Sequence, residues 1–187
     1  MKVGTHMTYK IGVIVGSLSK DSINRKLAKA LEKLAPDTLE FVDVPIANLP
    51  LYNWDLDDDY PLEAVSFKET IARMDALLYV TPEYNRSIPG ALKNAIDWAS
   101  RPHGQGVLGR PSAVIGASGG NLSSAVGQQH LKQILMFMNA PQMAQPEGYV
   151  HFTPGLIDDE GNVSSKGTED FLSSWMKAFS NFVGMHS

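Results

Sequence analysis

The stretch Lys10-Ile11-Gly12-Val13-Ile14-Val15-Gly16-Ser17-Leu18-Ser19-Lys20-Asp21-Ser22-Ile23-Asn24 decides the fold. Residues 10–15 are short, rich in β-branched side chains and apolar without alternation, the pattern of a strand covered on both faces. The run ends at Gly16. Beyond a polar turn, Ile23, Leu27, Ala30, Leu31 and Leu34 recur at helical spacing, with Ser22 placed to cap the helix and Pro36 to stop it. The unit is a strand, a tight turn and a helix.

Working outward, the unit recurs along the chain. Residues 39–44 read as a second strand. A helix over 62–74, with Val65, Ile71 and Met74 on one face, follows a long loop, 45–61, that carries three prolines. Residues 76–81 form the third buried strand, followed by a helix over 90–99 with Leu92, Ala95, Ile96 and Ala99 inward. The fourth strand spans 112–116. A glycine-rich turn at 117–122 leads into a helix over 124–138, and a short fifth strand is expected at 142–145. The closing helix covers 168–183, with Thr168 as cap and Phe171, Leu172, Trp175, Phe179 and Phe182 apolar. Five buried strands alternating with five helices imply an open parallel α/β sheet, because right-handed crossovers place helices on both faces. At this size the flavodoxin-like, doubly wound order 2-1-3-4-5 is expected, with a crevice above the carboxyl ends of strands 1, 3 and 4.

Composition bounds what such a fold can do. With 187 residues, 43% apolar and 19% charged, the chain fits one domain, read here as 7–185; residues 1–6 precede a second methionine and are read as a tag scar or frayed tail. There is no cysteine, which removes disulfides, thiolate nucleophiles and iron–sulfur or thiolate zinc sites. Lys and Arg number 16 against 20 Asp and Glu, so the net charge of −4 offers no broad basic face for nucleic acid. No apolar run is long enough to span a bilayer, and a cytoplasmic location is expected. The acidic stretch Asp55, Asp57, Asp58 and Asp59 reads as a solvated loop, and 158–162 as a turn before the last helix.

Three loops follow strands 1, 3 and 4. The first, 16–24, is dense in hydroxyls and opens onto a helix N-terminus, where free N–H groups and the helix dipole favour an anion. A helix cap with a polar turn explains the same residues equally well. Neither G-x-x-x-x-G-K-[ST] nor G-x-G-x-x-G is present, so a monophosphate fits better than a nucleoside triphosphate or a dinucleotide. The second loop, Pro82-Glu83-Tyr84-Asn85-Arg86-Ser87-Ile88-Pro89-Gly90, is stiffened by two prolines and presents backbone polar groups, the Asn85 amide and the Tyr84 ring. A planar heterocycle needs that combination of edge donors and an apolar face. The third, Gly116-Ala117-Ser118-Gly119-Gly120-Asn121-Leu122, leaves room for a bound ring.

These residues carry a resemblance. Gly16-Ser17 through Ser22 and Asn24, then Pro82-Glu83-Tyr84-Asn85 with Ser87, Pro89, Gly90, Leu92, Lys93, Asn94 and Asp97-Trp98, resemble the NAD(P)H-dependent FMN reductase family, and within it bacterial chromate and quinone reductases. The resemblance runs from about residue 7 to 183. It implies bound FMN, NADPH or NADH as co-substrate, and a homodimer or homotetramer. Carried over by position, Ser17, Ser19, Ser22, Ile23 and Asn24 would hold the FMN phosphate. Pro82, Glu83, Tyr84, Asn85 and Ser87 would line the isoalloxazine, with Ser118 and Gly119 beside it. Ser19 stands where many relatives have arginine, so the resemblance implies that a guanidinium contact to the phosphate is missing here; the neighbouring Lys20 is a flexible point charge without the bidentate fork.

The implied reaction passes hydride from a nicotinamide through FMN to a quinone, flavin, azo compound or chromate. Because the cofactor supplies the redox chemistry, no catalytic side chain is assigned. Glu83 is expected to matter through its backbone, and Arg86 is a candidate for the nicotinamide's phosphates. No metal site is expected: His103, His130, His151 and His186 form no close-spaced pair. A flavodoxin-type electron carrier is the alternative, disfavoured by the modest net charge. A receiver-type signalling domain lacks its acidic residues, since Gly16-Ser17 and Thr81-Pro82 occupy those places. The long helix with Leu131, Ile134, Leu135, Met136, Phe137 and Met138 carries more apolar surface than one sheet face needs, which points to self-association.

Overall fold

The computed structural model describes residues 7–101 and 106–186; residues 1–6 and His103 lie outside the described residues. The elements run β1 (Tyr9–Val15), α1 (Ile23–Leu34), β2 (Leu39–Asp43), η1 (Trp54–Leu56), α2 (Leu62–Ala72), β3 (Ala76–Val80), α3 (Gly90–Ser100), β4 (Ser112–Ser118), α4 (Ala125–Phe137), β5 (Gly148–His151) and α5 (Lys166–His186). All strand pairs are parallel, and the sheet order is β2-β1-β3-β4-β5. The order changes direction at β1, so the loops after β1 and β3 diverge and leave a crevice between them.

The period-2 geometry of the strands sorts the core into two layers. Ile11, Val13, Val15, Leu78 and Val80 pack with Leu27 and Leu31 of α1 and with Trp175 and Phe179 of α5. On the other face Ile14, Leu77 and Tyr79 meet Phe67 and Ile71 of α2, Leu92 and Ile96 of α3, and Leu131 and Leu135 of α4. Each fully buried Leu contributes about 1.5–3 kcal/mol. These two layers hold the strand ends in fixed register. Gly12 has no room for a side chain, because a Cβ would meet Leu77 and Met74 at 2.9 Å.

Several boundaries differ from the sequence reading. The fifth strand lies at Gly148–His151, not at 142–145, where Gln142 makes only an isolated bridge to Ser112 and Met143 N–H donates to Ser112 O. The segment before it is drawn under the sheet edge by its apolar Met143, which is buried. In α2 the inward face is Ala64, Phe67, Lys68 and Ile71; Val65 is only half-buried, and the helix stops at Ala72, short of Met74. In α5 Leu172, Trp175 and Phe179 are buried, whereas Phe171 is exposed.

Candidate functional site

The first loop starts where β1 ends. Gly16 N–H donates to Val80 O at 2.9 Å, and a Cβ on Gly16 would lie 2.5 Å from Thr81 Oγ1, so only glycine lets the chain turn here. Ser17 and Ser22 are both 5% exposed. Ser22 caps α1: its Oγ accepts from Arg25 N–H at 3.3 Å, and Ser17 Oγ accepts from Ser19 N–H at 3.3 Å. Both hydroxyl protons therefore stay available to donate. The N–H groups of Ile23 and Asn24 open the helix and have no intrahelical acceptor. No acidic residue occupies the first turn of α1, Asp21 lying just before its cap, so the positive end of the helix dipole faces the loop. Neutral hydroxyl and amide donors at a helix N-terminus are the chemistry a phosphate monoester requires, and they fit that part of FMN.

The side chain of Asn24 has other partners. It is buried, its Nδ2 donates to Ala117 O at 3.0 Å, and its Oδ1 accepts from Ala117 N–H at 2.9 Å. Asn24 thus ties α1 to the end of β4, and only its backbone N–H is left for the crevice. Ser19 is exposed on the rim beside Lys20.

The second loop is a miniature hairpin. Tyr84 N–H donates to Ser87 O at 2.9 Å and Ser87 N–H to Tyr84 O at 3.0 Å, around Asn85 and Arg86 with φ of 51° and 64°. Two consecutive positive φ values mark the tight turn whose twist matches paired strands. Its stiffness comes from this backbone pairing as well as from Pro82 and Pro89, and Pro89 is the residue just before α3. The tip N–H groups of Asn85 and Arg86 take no acceptor within the described residues, so they can serve the edge of a bound ring. Glu83 is used through its carboxylate: Oε2 accepts from Gly127 N–H at 2.9 Å and Oε1 from Arg86 Nη1 at 3.2 Å. Arg86 is exposed but held by that pair.

The third loop leaves the end of β4 beside the end of β3. A Cβ on Gly116 would overlap Thr81 O, so the ends of β3 and β4 sit against each other with no side chain between them. Ser118 Oγ accepts from Gly120 N–H at 3.1 Å, and Gly119 is open to solvent beside it. Ser123 and Ser124 then take φ of 47° and 67° and turn the chain into α4.

A strap that the sequence reading missed packs on α3, the helix that follows the second loop. The 45–61 segment is pinned to α3: Trp98 Nε1 donates to Pro50 O at 2.7 Å, Asn94 Nδ2 to Pro50 O at 2.9 Å, and Tyr52 N–H to Asn94 Oδ1 at 2.8 Å. Asp57, read as part of a solvated run, accepts from Arg101 Nη2 at 2.6 Å, and this pairing holds its carboxyl below the usual range. Asp55, Asp58 and Asp59 are exposed as expected. Tyr60 donates to Trp98 O, and burial pushes its phenol up to about 12. Lys68 is buried, donates to Arg101 O, and has its pKa lowered by desolvation. The signal for this strap was the aromatic density of Tyr52, Trp54, Tyr60 and Trp98.

Other features lie apart from the three loops. A cavity of about 380 Å³ is lined by Val44, Leu49, Leu62 and Phe67 on the α2 side and shares no residue with the crevice. No cluster of His, Asp and Glu able to hold a metal exists among the described residues. His151 Nδ1 contacts Gly120 O at 3.3 Å, His186 Nδ1 contacts Phe182 O at 2.8 Å, and His130 Nδ1 meets Ser87 Oγ at 2.7 Å. The turn at 158–162 is confirmed: Asp158 accepts from the N–H groups of Glu160 and Asn162. No described helix is long and apolar enough to cross a membrane.

A doubly wound sheet of order 2-1-3-4-5, with hydroxyl and amide donors after β1 and a rigid hairpin after β3, defines a flavodoxin-like fold. Residues 9–154 match the family model described as NADPH-dependent FMN reductase. The chain is 48% identical over 178 residues to a 2-hydroxy-1,4-benzoquinone reductase from Burkholderia sp, covering 95% of this chain and 97% of that protein. It is 44% identical to a quinone reductase from Pseudomonas putida, covering 95% and 96% of the two chains. Among solved structures, the flavoenzyme NAD(P)H:(acceptor) oxidoreductase FerB from Paracoccus denitrificans superposes with a TM-score of 0.91 at 43% identity, over 96% of this chain and 99% of that one. The chain belongs to the NADPH-dependent FMN reductase family. It is an NAD(P)H-dependent flavin oxidoreductase, and the electron-carrier alternative is set aside.

Proposed function

We propose that the enzyme oxidises NAD(P)H and reduces a quinone in turn at one place, the loops after β1, β3 and β4. In sum, NAD(P)H, a proton and a quinone become NAD(P)⁺ and a hydroquinone. FMN, when bound, supplies the two-electron chemistry that links the halves. The chain's own residues bind, orient and exclude water. The hydroxyls of Ser17 and Ser22 and the N–H groups of Ile23 and Asn24 hold the phosphate, with Ser19 on the rim. The hairpin from Pro82 through Ser87, including Glu83, Tyr84 and Asn85, lines the ring, and Ser118 and Gly119 flank it. Arg86 meets the phosphates of the nicotinamide. A quinone is the acceptor favoured by the names of the relatives at 44–48% identity.

The observation that carries this reading is the set of unpaired donors at the α1 N-terminus, on the same sheet edge as the hairpin. The test is reconstitution with FMN followed by anaerobic addition of NADPH. The yellow absorbance should bleach, and a benzoquinone should restore it. Protein that stays colourless after reconstitution, or a bound flavin that NADPH leaves oxidised, overturns the reading.

We also infer self-association through α3 and α4 as a homodimer or homotetramer. Met136 and Phe137 are 69% and 85% exposed, and Phe137 borders a groove of about 430 Å³ between the outer faces of these helices. A monomer would leave this apolar surface in water.

A further inference from the structure

The N-terminus of α4 lacks the cap its own sequence would supply. Ser124 precedes the helix at φ 67° and makes no side-chain cap; its Oγ instead accepts from Gln128 Nε2 at 2.9 Å. The acceptor for Gly127 N–H comes from 44 residues away, the Glu83 carboxylate, whose side chain is 9% exposed. The same carboxylate takes Arg86 Nη1 through its other oxygen. One turn further along α4, His130 Nδ1 meets Ser87 Oγ at 2.7 Å. Both ends of the hairpin are therefore latched to one helix, at Glu83 and at Ser87. Gly127 makes the approach possible, since a Cβ there would meet Ser87 O at 2.9 Å and Glu83 Cγ at 3.2 Å.

We propose that Glu83 is a positioning residue for the flavin reaction: its carboxylate caps α4, braces Arg86 and fixes the 84–87 hairpin in the pose that receives the flavin ring. This rests on the crevice being the FMN site. A carboxylate suits the place for two physical reasons. An anion at a helix N-terminus is favoured by the dipole, and a buried charge with two hydrogen-bond donors is rigid where a water would not be. The tip N–H groups of Asn85 and Arg86 point where they do only while both hairpin ends are held. Loss of the carboxylate leaves the Ser87–His130 contact as the remaining side-chain latch, about which the hairpin can swing.

The experiment compares Glu83→Gln, Glu83→Ala and Gly127→Ala with the parent enzyme, reading FMN affinity by fluorescence quenching and backbone amide exchange at Tyr84 and Ser87. Glu83→Gln keeps an acceptor for Gly127 N–H, so FMN affinity should stay within about threefold of the parent. Glu83→Ala should weaken it about tenfold, the loss of one charged hydrogen bond. The Tyr84 and Ser87 amides should exchange at least about tenfold faster, while the β1, β3 and β4 amides keep their protection. Gly127→Ala, which keeps the Glu83 carboxylate but crowds Ser87 O and Glu83 Cγ, should weaken FMN by pushing the hairpin off its latch, and it decides the matter if Glu83→Ala does not fold. Parent-like FMN affinity and hairpin protection in Glu83→Ala, or in Gly127→Ala where the former does not fold, overturn the proposal. Failure of the parent itself to bind FMN overturns the site instead, so the two failures are distinct.

Discussion

Asn24 and Ala117 exchange two hydrogen bonds, Nδ2 to O at 3.0 Å and N–H to Oδ1 at 2.9 Å, across 93 residues of chain. This amide reads the end of β4 as a neighbouring strand would, and it fixes the first loop against the third. Asn24→Ala leaves a buried N–H and a buried C=O without partners. A loss of about 3 kcal/mol in urea unfolding is expected, with weaker FMN binding alongside. Unchanged stability would show that the two loops are held together by other contacts.

Gly116 is the second point where the loops converge. Its Cβ position is filled by Thr81 O and approached by Ser124 Oγ at 2.6 Å, and backbone cannot retreat as a flexible side chain does. Gly116→Ala should destabilise by about 2 kcal/mol or more through overpacking, and should abolish tight FMN binding by prying β3 from β4. Thermal unfolding and flavin titration check both effects.

Tyr79 is fully buried with no partner for its hydroxyl among the described residues, and burial raises its pKa. Tyr79→Phe removes an unsatisfied polar atom while keeping the ring. Stability should rise by up to about 1 kcal/mol, read as a higher urea midpoint. A drop would mean that the hydroxyl has a bridging water.

The strap predicts a pH dependence. Arg101 holds the Asp57 carboxyl below its ordinary value of 3.8, so the unfolded chain takes up this proton before the folded one does. The contribution is whole above 3.8 and is lost as pH falls through the lower folded value. The stability gap between the parent and Asp57→Asn should therefore be largest near neutrality and close below that pH. A gap that widens in acid would refute the assignment.

Phe137 lies 85% exposed at the end of α4. If α3 and α4 form the contact between copies, Phe137→Glu should reduce the mass in light scattering from a multiple of 20.4 kDa to a single chain of 20.4 kDa. A parent that is already monomeric sinks the inferred assembly.

Much of this protein is legible in one dimension. The apolar run at 10–15, the cap at Ser22 and the stop at Pro36 are local, and the structure places β1 at Tyr9–Val15 and α1 at Ile23–Leu34. Less was legible where partners are distant. The sequence shows glutamate in the second loop, but that its carboxylate ends at Gly127 depends on how α4 docks. The same holds for Asp57, whose partner Arg101 lies 44 residues on. The fifth strand was misplaced because four residues carry too little periodicity to set its bounds, which its pairing with Ile115–Ser118 of β4 decides instead.

The sequence by itself determined the alternation of strands and helices and the polar, proline- and glycine-rich loops between them, since periodicity and turn chemistry act between near neighbours. Only the tertiary structure decided the sheet order and which polar side chains of those loops serve the frame. Asn24 turned toward Ala117, Glu83 toward Gly127 and Asp57 toward Arg101, because a buried polar group takes whichever partner the packing of distant elements brings within about 3 Å.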